Sequence, residues 1–299
     1  MDSLALQLLL FPFLACLILV GIHAYLGIHV LARGVIFVDI ALAQIAALGS
    51  TVALLAGYDP GTLPSYFCSL GFTFVGAAIF ALSRNLRERV PQEAFIGITY
   101  AVAAAVSILL ISKSPHGDEH IKNILVGNLL WVTPGHVGLI AVLYGIVGVF
   151  HFAFRKRFLT MSFQHDAPES KGRSAMLWDL LFYMSFGFVI TSSVQIAGVL
   201  LVFSFLVVPA VFAAMFANGL QMRLLISWTL GFLVSVLGML VSYEADLPTG
   251  AAIVATFGGA LVLAAIVRTV LTRMHLATHG AVFRAEGPLE VTDPGRSTR

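Results

Sequence analysis

Nine apolar runs, each about as long as a membrane-spanning helix, follow one another along most of the chain. A spanning helix needs roughly 20 consecutive, mostly apolar residues. The runs cover residues 5–25, 36–57, 63–83, 93–112, 135–154, 176–194, 196–217, 224–243 and 250–270. Only 11% of the residues are charged and 59% are apolar, a balance far from that of soluble domains. The sequence therefore predicts an all-α, polytopic bundle of about nine helices in a lipid bilayer.

The positive charges predict how these helices are oriented. Basic residues collect on the cytoplasmic side of membrane proteins. With the N-terminus outside, all 17 Lys and Arg except Lys113 and Lys122 fall inside. In this arrangement Arg33 is a positive-inside anchor, and His23 and His29 are interfacial. A transmembrane domain then covers residues 1–271, and residues 272–299 form a cytoplasmic tail that we expect to be disordered.

The chain lacks the common signatures of enzymes and nucleotide-binding proteins. It contains no G-x-x-x-x-G-K-[ST] phosphate loop, no H-E-x-x-H, no G-x-S-x-G and no C-x-x-C. The net charge of +2 is too small to indicate a nucleic-acid partner. We therefore predict a transport subunit rather than an enzyme, with no stably bound cofactor and an energy source elsewhere.

Four segments carry a resemblance to a known family. They are "GVIFVDIALAQIAALGS", "EAFIGITYAVAAAVSILLIS", "QIAGVLLVFSFLVVPAVFAAMF" and "SYEADLPTGA". In this order, between about His29 and Arg268, they resemble the permease subunit of bacterial ABC-type uptake systems for divalent metals, the zinc and manganese group. The resemblance implies a compact helical permease in the bacterial inner membrane, paired with an identical or different second permease. It also implies a cytosolic ABC ATPase dimer, which alone binds ATP, and an extracytoplasmic metal-binding protein.

Asp39 is the only convincing carboxylate that the sequence places inside the membrane. A charged group there is costly and is a functional candidate by default. We interpret it as a transient oxygen ligand for a passing divalent metal, the alternative being an internal hydrogen bond or a helix cap. The family tends to carry Asp and His four residues apart at this point, whereas here the partner is Gln44, five residues on. That spacing puts Gln44 on a different face of the helix.

A second group of metal-ligand side chains lies in the predicted outer loop. Imidazole and carboxylate groups suit zinc and manganese. The hypothesis is a metal-attracting entrance, and the alternative is an ordinary solvated loop. The group consists of His116, Asp118, Glu119 and His120.

The longest cytoplasmic connection, at about residues 155–175, is the predicted contact with the ATPase. A specific interface combines an apolar centre with a polar rim. The predicted anchors are Phe158, Met161 and Phe163, and the predicted rim is Gln164, Asp166 and Glu169. In the family this loop resembles the coupling helix. The alternative is a solvated connector held against lipid headgroups by its basic residues.

Several functions stay open at this point. The favoured one is an ATP-driven importer of zinc or manganese. An ABC permease for a metal chelate such as haem or cobalamin is the runner-up, because it shares the helical, dimeric organisation. A secondary transporter or channel acting alone is a third possibility, and a membrane-embedded enzyme or a structural subunit is a fourth.

Overall fold

The computed structural model describes residues 3–84, 89–112, 124–164 and 172–285, and within these ranges the side chains from residue 9 to residue 270. The chain divides into two units, Met1–Gly258 and Gly259–Arg299. Across the described ranges the regular secondary structure is helical, without a strand. The predicted all-α membrane fold is therefore confirmed.

Nine α-helices of nine or more residues are described in these ranges, and eight of them are long and apolar enough to cross a membrane. The exception is α6, which has 9 residues. The helices are α1 (Ser3–Arg33), α2 (Val38–Leu55), α3 (Leu63–Ser83), α4 (Gln92–Ile111), α5 (Pro134–Ala153), α6 (Arg155–Phe163), α7 (Gly172–Phe216), α8 (Leu220–Ala245) and α9 (Thr249–Ala285).

The 45-residue helix α7 is two helices joined at Gly198, which has a non-helical φ of 75° and ψ of 162°. The ring of Phe182, before the break, lies 6.1 Å from the ring of His29 in α1. The carbonyl of Leu206, after the break, lies against Gly27, also in α1. A straight helix would hold Phe182 and Leu206 about 36 Å apart. The chain therefore folds back at Gly198, and α7a (172–197) and α7b (199–216) correspond to two predicted runs.

Close packing of α2, α3 and α7 depends on small residues. Helix α2 packs against α3, α4 and α7. A Cβ on Gly49 of α2 would lie 2.7 Å from the Cα of Ser69 in α3, and a Cβ on Gly187 of α7a would lie 2.8 Å from Thr73. Small side chains let membrane helices approach closely. The polar residues of the three helices are consequently brought together.

A short segment crosses the break in α7. Residues 124–131 form one helical turn and a 3-10 helix, Leu129–Trp131. The backbone N–H of Asn128 donates to the carbonyl of Ile196 at 3.2 Å, just before the break. Gly127 lies against Ala197, and Gly250 lies against the carbonyl of Val126, so side chains are excluded at this crossing.

At the C-terminal end, α9 continues to Ala285, past residue 271, the predicted end of the transmembrane domain. The disorder that we expect of the tail stays a prediction. The added stretch, "LTRMHLATHGAVFRA", contains Leu, Met, Ala and Arg, which have high helix propensity. The remainder of the predicted tail, 286–299, lies outside the described residues.

Candidate functional site

Asp39 is the central residue of the candidate site. It lies in the first turn of α2 and its side chain is 0% exposed. Neither carboxylate oxygen has a hydrogen-bond partner among the residues that the structure describes. The internal hydrogen bond that we considered as its alternative role is therefore not formed there. A buried carboxylate without a partner is expensive, so it needs a compensating ligand, a proton or a functional reason.

The face of α2 that carries Asp39 leads to a cavity beside the α2–α3 connection. Residues 39, 43, 46 and 50 lie within about 60° of one another around a helix with 3.6 residues per turn. Ala43 and Ala46 are buried, and Ala46 and Ser50 line the cavity. Small residues thus separate Asp39 from the cavity along this face.

The positive charges predict that this end of the bundle faces outward, so we call this cavity the outer vestibule and the opposite end of the bundle the inner end. Its volume is about 230 Å³. The polar residues in its wall come from α2, α3, α7a and the crossing segment, and among the described residues that line it none is charged. They are Ser50, Ser69, Asn128, Thr191 and Gln195.

Gln44 lines a second cavity, of about 190 Å³, together with Thr51, Tyr100 and Ser107. This cavity adjoins the vestibule, since Ala47 and Ile124 line both. Asp39 lines neither this cavity nor the outer vestibule. The structure therefore does not bring Gln44 and Asp39 into one site, as the five-residue spacing indicated.

The predicted entrance cluster, His116, Asp118, Glu119 and His120, lies outside the described residues. Among the described residues, no three His, Cys, Asp or Glu side chains are close enough together to hold a metal ion. Within the described part of the chain, Asp39 therefore belongs to no cluster of three such side chains, and a cation beside it would need water or neutral oxygens among its ligands.

The inner ends of α1 and α7 carry a second buried carboxylate that sequence reasoning missed. Asp179 accepts from Arg33 Nη1 at 2.7 Å, and its other oxygen accepts from Arg84 Nη1. Arg33 also lies over the ring of Phe182, 3.9 Å from its centroid. Only 6% of Arg33 is exposed, so its guanidinium is held inside the protein, and its role as a positive-inside anchor stays a prediction. The sequence feature that could have identified Asp179 is the presence of an acidic residue within the apolar run 176–194.

His23 and His29, which we predict to lie near the membrane interface, are both 0% exposed and therefore lie inside the protein. His23 Nδ1 donates to the carbonyl of Leu19 at 2.8 Å. His29 Nδ1 lies 2.8 Å from the hydroxyl of Ser162, which also accepts from Arg33 Nε at 2.9 Å. Helix α6 is thereby tied to α1 by hydrogen bonds.

A neighbouring network joins α1, α5 and α7a. The hydroxyl of Tyr25 lies 3.2 Å from His151 Nδ1, and His151 Nε2 lies 2.8 Å from the hydroxyl of Ser185. The hydroxyl of Ser185 donates to the carbonyl of Phe182. Hydrogen-bonded buried side chains of this kind fix helix positions, and they account for the polar character of the inner core.

The predicted ATPase-contact residues divide into two groups. Phe158 and Met161 are buried, and the ring of Phe158 stacks on His151 with centroids 4.2 Å apart. They cannot be surface anchors in this conformation, because the face of α6 on which they lie packs against the rest of the protein. Phe163 and Gln164 are exposed, and Asp166 and Glu169 lie outside the described residues. The coupling role of the set stays a prediction.

The fold and its buried polar groups define a polytopic helical membrane protein. The sequence profile of the ABC 3 transport family matches residues 5–268. The chain belongs to this family, and it is accordingly a multi-pass membrane protein of the transport type.

Individual relatives are more distant. The chain is 29% identical over 202 residues to "Manganese transport system membrane protein MntC" of Listeria monocytogenes, covering 65% of this chain and 71% of the relative. It is 26% identical over 234 residues to "Probable iron transport system membrane protein" of Haemophilus influenzae, covering 78% and 80%. The structure of PsaBC from Streptococcus pneumoniae in complex with Fab matches with a TM-score of 0.72 and 22% identity, covering 87% of this chain and 92% of that one. This last likeness concerns the fold.

Proposed function

We propose that this chain is the permease subunit of an ATP-driven ABC importer for divalent metal ions, with manganese or zinc as its substrate. Membership of the ABC 3 transport family supports the transport class. The name of the Listeria relative supports manganese, and that of the Haemophilus relative makes iron the competitor to test.

The observation that carries this proposal is the bare carboxylate of Asp39. Both of its oxygens are buried without a hydrogen-bond partner among the described residues. Manganese and other hard cations prefer oxygen ligands. A cation arriving beside Asp39 would compensate the buried charge, and the absence of a complete ligand cage would let it leave again.

The outer vestibule, with a volume of about 230 Å³, is large enough for a metal ion. A neighbouring cavity of about 520 Å³ shares Gly61, Asn128 and Gln195 with it. Pockets for small organic molecules usually measure about 300–1,000 Å³. Cavity volume therefore leaves a metal chelate as the competing substrate.

The proposal includes partners, because the sequence contains no phosphate loop. A cytosolic ABC ATPase dimer supplies the energy, a second permease of the same or a related sequence completes the membrane unit, and an extracytoplasmic metal-binding protein delivers the ion. Exposed apolar side chains on α4, such as Ile98, Val102 and Leu109, provide surface for lipid or for the second permease.

The test is uptake of radioactive Mn²⁺ by cells that lack this chain and by the same cells with the chain restored. We expect restored uptake, competition by Zn²⁺ or Fe²⁺ according to specificity, and loss of uptake when cellular ATP is depleted. Equal Mn²⁺ uptake by cells with and without the chain would overturn the proposal. Uptake that survives ATP depletion but is abolished by a protonophore would instead identify a secondary transporter.

A further inference from the structure

We propose that the outer vestibule is itself a binding site for a partly hydrated divalent cation, formed by neutral oxygen atoms and located on the outer side of Asp39. This inference rests on the proposed function, since it assigns a waiting position to the same substrate. The vestibule contains no charged residue among its described lining, so its chemistry is that of hydroxyl and amide oxygens.

The hydrogen bonds in the wall of the vestibule determine whether its hydroxyl groups can donate or only accept further hydrogen bonds. The hydroxyl of Thr73 donates to the carbonyl of Ser69 at 2.8 Å, which uses its single hydrogen. The hydroxyls of Thr73 and Thr191 are 2.9 Å apart. Because a hydroxyl has one hydrogen, the bond between them must be donated by Thr191. The Thr191 oxygen therefore has only lone pairs left to offer.

Ser69 is constrained in the same way. Its hydroxyl donates to the carbonyl of Ser65 at 3.0 Å, so its oxygen can only accept further interactions. Ser69 and Thr191 are both buried and both line the vestibule. Two fixed acceptors in one wall attract a cation or the hydrogens of its water shell, and they repel an anion.

The amides complete the ligand set. Asn128 and Gln195 line the vestibule with exposed side chains, and each can turn its carbonyl oxygen inward. Asn128 is positioned by the backbone bond from its N–H to the carbonyl of Ile196. This bond requires the crossing of Gly127 over the break at Gly198, where a side chain on either residue would collide with backbone. The break in α7 therefore shapes the vestibule.

Volume and charge both fit an ion that keeps part of its water shell. One water occupies about 30 Å³ of liquid volume, and the vestibule has about 230 Å³. A neutral oxygen site binds a divalent cation less tightly than a carboxylate cage, and passage requires binding weak enough for release. The hydroxyl pair of Thr73 and Thr191 bridges α3 and α7a beside it, and the Asp39 face of α2 leads inward from it.

The probe is protection of an introduced thiol by Mn²⁺ in membranes that contain the full-length chain. Ser50→Cys is placed in a Cys68→Ser background, because Cys68 is half-buried whereas Cys16 is buried. Its reaction with a neutral methanethiosulfonate is timed at increasing Mn²⁺, with choline chloride at matched ionic strength as the reference. We expect Mn²⁺ to slow the reaction in a saturable way.

Two further substitutions test the assigned oxygens. Thr191→Val and Ser69→Ala should each raise the Mn²⁺ concentration for half-protection about tenfold, the scale of one lost bond to a charged group. Ser235→Ala is the matched control, since this buried serine also donates to the carbonyl four residues earlier, in α8. It should leave protection unchanged. Absence of protection, or equal protection in all variants, would overturn the vestibule site.

Uptake in the same strains separates this inference from the proposed function. Chain-dependent, ATP-dependent Mn²⁺ uptake without thiol protection would remove the vestibule site and leave the importer standing. Saturable protection without chain-dependent uptake would support the vestibule site and overturn the importer.

Discussion

Arg33 and Asp179 form an ion pair in the buried interior, with Nη1 2.7 Å from Oδ1, and they join the inner ends of α1 and α7. Their side chains are 3% and 5% exposed. Breaking a buried pair by removing one partner leaves a charge without its compensation, which typically costs about 3–5 kcal/mol. This pair is therefore structural, in contrast to the bare carboxylate of Asp39.

The first prediction is that Asp179→Ala destabilises the protein more than Arg33→Ala does. Asp179 serves both Arg33 and Arg84, so its removal deprives two guanidinium groups of one carboxylate. After Arg33→Ala, Arg84 still pairs with Asp179. The midpoint of thermal unfolding in detergent measures the difference. Equal midpoints for Asp179→Ala and wild type would contradict the structural role of the cluster.

The second prediction concerns the break in α7. Gly198→Ala should lower stability by about 2 kcal/mol or more, because φ of 75° with ψ of 162° is strained for any residue with a Cβ. The new Cβ would also meet the carbonyl of Leu125 at 2.7 Å. Gly97→Ala in α4 is the matched control, since nothing lies within 4 Å of its added Cβ. The control should be neutral or slightly stabilising, and a Gly198→Ala variant as stable as the control would show that the fold does not need the break.

The third prediction concerns the cytoplasmic helix α6. Phe163 is 41% exposed, so Phe163→Asp should leave the protein inserted while weakening ATPase co-purification and abolishing uptake. Phe158→Asp should instead prevent folding, because it places a charge between His151, Trp178 and Phe182. Amounts of inserted protein and of co-purified ATPase distinguish the two. Normal transport by Phe163→Asp would mean that energy enters at another contact.

The fourth prediction is the orientation of the chain. With nine spans and the N-terminus outside, single cysteines introduced at Asp118 and Ser297 should react with a membrane-impermeant thiol reagent from opposite sides. Cys68→Ser supplies the background, since Cys16 is buried. Labelling of both positions from the same side would refute the topology.

Hydropathy was sufficient to predict most helices and their ends. The run 63–83 coincides with α3 (Leu63–Ser83), and the run 135–154 differs by one residue at each end from α5 (Pro134–Ala153). This works because the bilayer imposes one length and one polarity on every spanning helix. The break at Gly198 lies close to the boundary between the predicted runs 176–194 and 196–217.

The sequence alone does not show which buried side chains pair with one another. Arg33 and Asp179 are 146 residues apart in sequence, and their pairing depends on how α1 and α7 pack. The sequence also does not show which face of α6 packs against its own protein, and Phe158 and Met161, which it predicts to be surface anchors, are buried. The vestibule likewise combines residues from four separate segments.

The most direct test of the central claim is Mn²⁺ uptake by an Asp39→Asn variant. Asparagine keeps the shape of the side chain and removes the charge, so we expect uptake to fall about tenfold or more while inserted protein and its thermal midpoint are maintained. Asp59→Asn, a substitution of an exposed acid, is the control and should transport normally. Wild-type uptake by Asp39→Asn, at equal amounts of inserted protein, would show that the metal does not pass Asp39.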